Sequence, residues 1–350
     1  MSGVAQRTID TDMRSNSTSN SWLQKFENKY RSHCQPALVA ETMCEYDSAA
    51  QSQIIDTINE IEQNGGGDDC SCFPSPEYKC LVLKQVFRRI EYDMISPNDT
   101  FCDVFARLIN KPLRTKADNN TFSEYLTFPK FCGEIRGHPH PRPQPLAIRV
   151  FPKHNDVAMR LWEACCFMIE YLTVNSDLVQ SKSVMEIGSG CGLLGMIAVM
   201  QLEASKFVMT DISAECLDNM RHNVAINSLL LGEKAEHLKI AELDWKEITS
   251  FPDYLDVICG CDILYDPNDI SYIVKAFELF LSTHYSKRKI LLATTYRNAS
   301  TFELLLQTIE KTTLTYVEAT YRYEGNELFA FDQFLQTRDA IRLFIFSSSP

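Results

Sequence analysis

Apolar side chains recur at helical spacing through the first third of the chain. One run comprises Ile54, Ile55, Ile58 and Ile61, and a second extends from Leu81 to Ile90. A repeat of three to four residues buries one face of a helix, so both runs predict amphipathic helices. Residues 64–76 between them carry three successive glycines and predict a loop. We predict a helical region over 21–115, after a polar segment at 1–20 whose low apolar content indicates disorder.

From about residue 146 the pattern changes to short apolar runs that alternate with helical ones. Residues 116–145, rich in proline and histidine, predict a linker loop before this change. Alternating strands and helices form a parallel sheet with helices on both faces. The last two apolar runs, Thr313–Tyr321 and Ala340–Phe346, lack a long helix between them and predict an antiparallel hairpin. The fold class expected for 146–350 is therefore α/β, a doubly wound, Rossmann-like sheet of seven strands with a C-terminal hairpin, preceded by the helical region.

The charge balance limits the classes of partner. Acidic residues outnumber basic ones by 46 to 34, which gives a formal net charge of −12. This excess repels phosphate backbones, so it disfavours general nucleic-acid binding and favours a basic or lysine-bearing partner. The longest apolar run, Val184–Met200, contains four glycines where a lipid-spanning helix needs bulky side chains. We expect a cytoplasmic protein that does not bind membranes.

The cysteines leave one metal hypothesis open. There are 13, an odd number, and none form a C-x-x-C pair. The stretches Cys70-Ser71-Cys72 and His138-Pro139-His140 are the cluster-like features that a zinc site would use. Scattered thiols in apolar stretches are more typical of a reduced intracellular protein. We predict no metal site.

The most informative stretch is Glu186-Ile187-Gly188-Ser189-Gly190-Cys191-Gly192, where the first parallel strand ends. Glycines at a strand-to-helix turn let the backbone approach a ligand closely, and the following helix supplies amide donors. In an open α/β sheet this position is the usual ligand crevice. The alternative is a turn that serves packing alone.

The position of Glu186 indicates which nucleotide the turn would bind. Gly190, Gly192 and Gly195 have dinucleotide spacing but begin two residues late, and in the proper register Leu193 replaces the third glycine. A carboxylate beside a pyrophosphate repels it, whereas beside a sulfonium or an amino group it attracts. Glu186 therefore favours S-adenosylmethionine over NAD.

Three further residues are candidates for the nucleotide site. Asp211 ends the second strand, where an acid can accept hydrogen bonds from both ribose hydroxyls, although it also suits an N-cap of the helix from Ala214. Trp245 follows the third strand and can form a wall against the adenine. Trp162, on a preceding amphipathic helix, suits either the site or the core.

Taken in order, Trp162, Glu186–Gly192, Asp211, Leu243-Asp244-Trp245 and Asp262-Ile263-Leu264-Tyr265 resemble the seven-strand lysine methyltransferases that carry a D-x-x-Y motif. The resemblance extends over about 50–350. A finer likeness to the branch that modifies elongation factor two lies in three stretches: Pro74–Asp93, Ala241–Trp245 and Thr295–Asn298.

The resemblance implies a set of cofactor-binding positions. They are the tryptophan before the first strand, the glycine turn, the second-strand acid, the third-strand tryptophan and the residue before the D-x-x-Y aspartate: Trp162, Gly188, Ser189, Gly190, Asp211, Trp245 and Cys261. The sequence departs from the family pattern at His154–Ala158, where a glycine is replaced and the preceding hairpin is shortened. The implied activity is transfer of a methyl group from S-adenosylmethionine to a lysine of a protein, here elongation factor two, by a monomer.

The chemistry requires an uncharged lysine. An amine with the reference pKa of about 10.4 is protonated at neutral pH, and deprotonating it costs roughly 4–5 kcal/mol. Asp262 and Tyr265 follow the fourth strand, so Asp262 is a candidate to orient the ammonium and Tyr265 to form a wall by cation–π contact. Their alternative roles are a loop cap and a half-buried aromatic. The competing functions are a methyltransferase of the same fold acting on another protein, RNA or a small molecule, and a catalytically silent binding module.

Overall fold

The computed structural model describes residues 16–31, 39–40, 42–43, 46–63, 76–109, 124–134, 143–151, 157–282, 288–321, 328–329 and 332–347. The chain divides into two compact units, one of 1–69 with 73–114 and one of 70–72 with 115–350. They are described separately. The predicted glycine-rich loop lies outside the described residues, and so do 1–15.

The first unit is helical, as predicted. Its helices are α1 (Asn16–Arg31), α2 (Ser48–Gln63), α3 (Pro76–Tyr92) and α4 (Asp99–Ile109). The start of α1 lies inside the segment predicted to be disordered. The isoleucines of α2 and the apolar face of α3 are buried, so the helical periodicity marked the core correctly.

A buried glutamine connects two parts of this unit. The side-chain amide of Gln51 donates hydrogen bonds to the carbonyl oxygens of Tyr46 at 2.9 Å and Ser96 at 3.2 Å. Its oxygen accepts one from the backbone N–H of Asn98 at 2.7 Å. Buried polar groups need such partners, and here they attach the start of α2 to the segment that leads into α4.

The second unit begins with a hairpin that the residue pattern of 116–145 did not predict, although the family resemblance implied one before His154. Strands β1 (Glu124–Glu134) and β2 (Pro143–Val150) pair antiparallel, with a register shift between Phe128 and Cys132. The prediction of a linker loop over 116–145 is therefore wrong for these residues. Proline and polar residues around the short apolar runs hid the alternation that buries Phe128 and Ile148.

A mixed sheet of seven strands follows, in the order β5-β4-β3-β6-β7-β9-β8. The first five strands along the chain are parallel, and β9 is antiparallel to both β7 and β8. This confirms the predicted doubly wound fold and its antiparallel end. The strands are β3 (Ser183–Ile187), β4 (Lys206–Asp211), β5 (Leu238–Glu242), β6 (Val257–Cys261), β7 (Lys289–Thr295), β8 (Thr315–Ala319) and β9 (Ile341–Ser347).

Helices cover both faces of the sheet. Successive residues of one strand, such as Val184 and Met185 of β3, belong to two different apolar clusters, because their side chains point to opposite faces of the sheet. Burial on both sides accounts for the continuous apolar runs of the central strands. The helices are α5 (Glu163–Val174), α6 (Leu193–Met200), α7 (Ala214–Ile226), α8 (Ser228–Leu231), α9 (Ile270–Leu281), α10 (Ala299–Ile309) and α11 (Asp332–Thr337).

Two asparagines of α7 and the asparagine at its C-cap bind the hairpin to the sheet domain. Asn227 exchanges two hydrogen bonds with the backbone of Ala147, at 3.0 and 2.6 Å. Asn223 accepts one from the N–H of Arg149 at 2.8 Å, and Asn219 donates one to its carbonyl at 3.0 Å. At intervals of four residues these amides lie along one face of the helix, so they satisfy the strand's free edge.

The strand order places a crevice at the centre of the sheet. The chain runs from β3 outwards to β4 and β5, then returns to the other side of β3 as β6 and continues to β7. The connections leaving β3 and β6 diverge, which opens a ligand crevice beyond their carboxyl ends. In the described part of the chain, no helix is both long and apolar enough to cross a membrane.

Candidate active site

A cavity of about 200 Å³ lies at this crevice. Its wall combines the ends of β3, β4 and β6 with the segment before α5. All ten residues that were predicted from the sequence to bind the cofactor or take part in catalysis line this cavity: Trp162, Glu186, Gly188, Ser189, Gly190, Asp211, Trp245, Cys261, Asp262 and Tyr265. The tertiary structure thus brings together positions that lie up to 103 residues apart in the chain.

The turn after β3 can be built only with glycine. Gly188 and Gly190 have φ of +70° and +51°, a region that side chains disfavour. A Cβ on Gly188 would lie 2.8 Å from Cγ2 of Ile263, and one on Gly190 would lie 2.8 Å from the carbonyl oxygen of Ala158. The turn therefore presents bare backbone to the cavity. Ser189 holds its shape, because its hydroxyl accepts a hydrogen bond from the N–H of Thr210 at 3.0 Å.

Gly195 has a different role from the other glycines. A Cβ there would lie 2.6 Å from the side chain of Met209 on β4. Its small size allows α6 to pack closely against the sheet. The dinucleotide-like spacing of Gly190, Gly192 and Gly195 thus includes a packing residue.

Glu186 is a buried acid with an unused acceptor. Its side chain faces the cavity from the end of β3, the residue is 1% exposed, and Oε2 has no hydrogen-bond partner among the residues described. Burial raises the pKa of Glu186 to about 8, and the charge of Asp211 adds to the increase. The carboxyl is mostly protonated at neutral pH, and a cation bound beside it would favour ionisation.

Asp211 is held in place by backbone donors. Its Oδ2 accepts a hydrogen bond from the N–H of Gly190 at 3.1 Å, and its Oδ1 accepts one from the N–H of Ser213 at 3.2 Å. The N-cap of α7 is Ser213, whose hydroxyl accepts from the N–H of Cys216. The alternative that Asp211 caps this helix is therefore wrong.

Two tryptophans line the cavity. Trp245 lies near the glycine turn, with Cζ3 3.6 Å from the position of a Cβ on Gly188. Trp162 has extended backbone angles and stands at the N-cap of α5, so it precedes the helix on which the sequence placed it. Its indole N–H donates to the carbonyl of Val157 at 2.7 Å, which steadies the segment over the glycine turn.

Asp262 is engaged by its neighbours on both oxygens. Oδ1 accepts a hydrogen bond from the N–H of Thr295 at 2.7 Å, and Oδ2 accepts one from the Thr295 hydroxyl at 2.9 Å. The guanidinium of Arg297 lies 3.2 Å from the same Oδ2. Asp262 has φ of +53°, so its backbone is strained, and its neighbour Tyr265 is exposed at the cavity wall.

The sequence reasoning missed Glu163 and Arg297 as members of this site. Arg297 donates a hydrogen bond to Oε2 of Glu163 at 2.6 Å, and its Cζ lies 4.8 Å from the ring centre of Trp162. Burial raises the pKa of Glu163, against the lowering effect of the Arg297 charge. Arg297 was noticed only as part of the Thr295–Asn298 likeness. The sequence feature that could have identified Arg297 is a basic residue shortly after the fifth parallel strand.

Two cysteines of the cavity wall, Cys191 and Cys261, are poor nucleophiles. A hydrogen bond to Cys165 and burial raise the pKa of Cys261, and burial raises the pKa of Cys191. A thiol is a poor nucleophile when its thiolate is disfavoured. In the described part of the chain no group of three or more histidine, cysteine, aspartate or glutamate side chains is placed to hold a metal. The Cys70–Cys72 and His138–His140 stretches lie outside it.

The wall of the cavity fits S-adenosylmethionine. The unpaired oxygen of Glu186 suits a cation, the glycine turn leaves room for the main body of a nucleoside, and Asp211 offers carboxylate oxygens at the end of β4. A pyrophosphate would face the Glu186 carboxyl instead of a cationic group. The groups that line the cavity therefore suit a nucleoside that carries a sulfonium.

Comparison with known proteins gives the same class. Residues 144–314 match the family described as lysine methyltransferase. The protein-lysine N-methyltransferase EFM3 of Chaetomium thermophilum is 28% identical over 67% of this chain and 72% of its own length. The human protein-lysine N-methyltransferase EEF2KMT is 24% identical over 50% of this chain, and the match spans 56% of that relative. Among solved structures, the methyltransferase domain of bacterial CtHen1 aligns with a TM-score of 0.37 at 14% identity, over 53% of this chain and 97% of that domain.

Fold and site together define an S-adenosylmethionine-dependent methyltransferase. Residues 144–314 match the lysine methyltransferase family, and the activity that this match supports is methylation of protein lysines from S-adenosylmethionine.

Proposed function

We propose that this enzyme methylates a lysine of translation elongation factor two. The observation that carries the proposal is the cavity, in which a buried acid suited to a cation and a bare glycine turn lie beside the Asp262–Tyr265 segment. The choice of substrate is supported by the likeness of Pro74–Asp93 and Thr295–Asn298 to the branch that modifies this factor. It is also supported by modest identity to EFM3 and EEF2KMT.

Four groups are proposed to hold the cofactor, whose sulfonium supplies an activated methyl group. Glu186 would bind a cationic group and ionise as it does so. Asp211 would accept hydrogen bonds from ribose hydroxyls while it keeps the turn in shape. The faces of Trp245 and Trp162 would exclude water from the nucleoside.

The acceptor lysine is proposed to enter beside Asp262 and Tyr265. The exposed ring of Tyr265 would form one wall of the entrance. The amine must lose its proton before it reacts. Its lone pair then forms the bond to the methyl carbon, while the electron pair of the broken carbon–sulfur bond stays on sulfur. The narrow, apolar lining would keep water from solvating the ammonium form.

The helical unit is proposed to contribute to substrate docking. At the end of α3, Tyr92 and Met94 are 79% and 92% exposed, an unusual state for large apolar side chains. Both fall in or directly after the Pro74–Asp93 likeness. The net charge of −12 would speed encounter with a lysine-rich surface, and salt would weaken that effect. Translation takes place in the cytoplasm, so we propose that the protein acts there, as a monomer.

Methyl transfer to cellular proteins tests the proposal. Purified enzyme, incubated with labelled S-adenosylmethionine and an extract from cells that lack this gene, is expected to label one band of the size of elongation factor two. Mass spectrometry of the factor from cells with and without the gene should then show one lysine that differs. Identical methylation in both would contradict the substrate. Label on RNA, or on no macromolecule, would contradict the lysine reaction itself.

A further inference from the structure

Beside the proposed entrance for the acceptor lysine, two carboxylates form a site that a cation can occupy. In this structure the guanidinium of Arg297 occupies it. Arg297 joins Glu163 and Asp262 through its guanidinium, at 2.6 and 3.2 Å, and lies over the face of Trp162. The two carboxylate side chains are 1% and 3% exposed, whereas Arg297 is 44% exposed. Two buried acids and an aromatic face form a site for a cation, and an ammonium would compete for the same position.

The two cations would have opposite effects on catalysis. An acceptor lysine bound as its ammonium between Glu163 and Asp262 would be stabilised in the protonated form, which cannot attack. A guanidinium remains charged at every pH that the enzyme experiences, so Arg297 does not leave this position by losing a proton.

We propose that Arg297 is a specificity and positioning residue that occupies the cation site between Glu163 and Asp262 and so admits the acceptor lysine only as the neutral amine. The inference rests on the proposed function, because it assumes that the acceptor enters beside Asp262. It also changes the role of Asp262, which the sequence suggested would orient the lysine ammonium. Asp262 positions Arg297 and Thr295 and does not itself bind the ammonium.

The other charged groups near the cluster agree with this role. Arg160 lies against the Trp162 ring, with Cζ 4.9 Å from its centre, so two guanidiniums flank one indole. Tyr265 is the remaining titratable group of the same loop at the cavity wall. Glu163 and Asp262 are the acids that face Arg297, and both contact it. The two carboxylates that contact Arg297 are therefore already paired with a cation.

Charge-removing and charge-keeping variants separate this role from a structural one. Arg297→Met removes both the charge and the hydrogen bonds, Arg297→Gln keeps a donor, and Arg297→Lys keeps the charge. The matched control is Arg338→Met, because Arg338 forms an ion pair of 2.6 Å with the buried Glu170 on the same helix as Glu163. Each full-length variant is first tested for binding of S-adenosylhomocysteine by calorimetry, which reports whether the site is folded.

The measurement is the single-turnover methylation rate of purified, unmodified elongation factor two between pH 6 and 10. In Arg297→Met and Arg297→Gln the rate at pH 7 should fall about tenfold and recover at high pH, because the kinetic pKa of the amine rises by about one unit. The KM for the factor should stay equal or fall. Arg297→Lys should lose less rate at pH 7 than either charge-removing variant, since it keeps a cation beside the two carboxylates but cannot bridge both of them as the guanidinium does.

Two results would overturn the inference. One is a loss of rate by the same factor at every pH in both charge-removing variants, the pattern expected for Arg338→Met. The other is an unchanged rate in both. A wild type that does not methylate elongation factor two contradicts the proposed substrate instead, and the same pH series is then run on the protein that it labels in extract.

Discussion

The carboxylate of Asp211 accepts a hydrogen bond from the backbone N–H of Gly190 at 3.1 Å. This bond joins the ends of two neighbouring parallel strands, because Asp211 ends β4 and Gly190 lies in the turn that leaves β3. The acid that is placed to bind a ribose is therefore also a support for the glycine turn. A change at either residue should affect both the shape of the cavity and its affinity.

Replacing Asp211 by alanine should weaken binding of S-adenosylmethionine by about 1–3 kcal/mol, the usual scale for loss of charge-assisted hydrogen bonds. Titration calorimetry measures the change. The control is Ser213→Ala, which removes the helix cap next to Asp211 and should cost about 1 kcal/mol of stability without a similar loss of affinity. Equal affinities of Asp211→Ala and the wild type would contradict a ribose-binding role.

Gly188 is expected to be intolerant of any side chain. In Gly188→Ala, the added methyl group would press on Ile263 at the cavity wall, so cofactor affinity should fall at least tenfold. Gly232→Ala is the matched control, because Gly232 also has positive φ, +53°, but has no atom within 4 Å of its Cβ position. Both variants should lose about 1–3 kcal/mol of stability, because a side chain is strained at positive φ. Similar affinities in the two variants would show that the turn is not a ligand cradle.

Cofactor binding should release a proton near neutral pH. The pKa of Glu186 is about 8 in the free protein, and a neighbouring cation lowers it, so binding ionises the carboxyl. Affinity should therefore increase as pH rises from 6 to 8. Calorimetry in buffers of different ionisation enthalpy counts the released protons, and Glu186→Gln should remove this part of the release. A release unchanged in that variant would assign the proton to another group, such as the amino group of the ligand.

The same carboxyl should make the free protein less stable as pH rises. Its folded pKa of about 8 lies above the reference value of 4.5, so between these values the folded state holds a proton that the unfolded state has lost. Stability from this group is complete below pH 4.5 and declines up to pH 8. Urea unfolding at pH 5 and pH 8 should show a decline that is smaller in Glu186→Gln by about 1–3 kcal/mol. Parallel pH profiles in the two proteins would contradict the raised pKa.

If the helical unit docks the substrate, changes on its surface should weaken substrate binding without weakening cofactor binding. Tyr92→Ala with Met94→Ala should raise the KM for intact elongation factor two while affinity for S-adenosylmethionine stays the same, because both side chains are exposed outside the sheet domain. Leu229→Ala, which removes an exposed apolar side chain of the sheet domain, serves as the control. A KM equal to that of the control would place docking elsewhere.

The predictable part of the fold is the part with a clear period. Helices α2 and α3 were predicted from the runs Ile54–Ile61 and Leu81–Ile90, since their apolar positions repeat at helical spacing. The hairpin of β1 and β2 was missed because prolines interrupt its alternation, and because its outer edge is satisfied by asparagine side chains of α7 instead of a third strand. Such partners are distant in sequence and leave no local pattern.

The candidate site shows the same division. Glycines, acids and tryptophans at strand ends were identifiable because strand ends of a parallel sheet converge on one crevice whatever the details of packing. The partners of Asp262 were not, because Thr295 and Arg297 lie 33 and 35 positions away, at the end of β7 and just after it. Glu163 was overlooked beside Trp162, since an acid at the start of a helix is ordinary.

By itself the sequence determined the succession of strands and helices in the seven-strand sheet domain, the bare turn after β3 and the acid types that surround it. These follow from side-chain size, period and charge. Only the tertiary structure decided the ionisation of Glu186 and the occupant of the cation position between Glu163 and Asp262. A pKa depends on how much water the surrounding residues remove, and an ion pair depends on which distant cation packs within about 4 Å, the distance at which opposite charges pair. Neither the shift of the pKa nor the ion pair exists until the chain has folded.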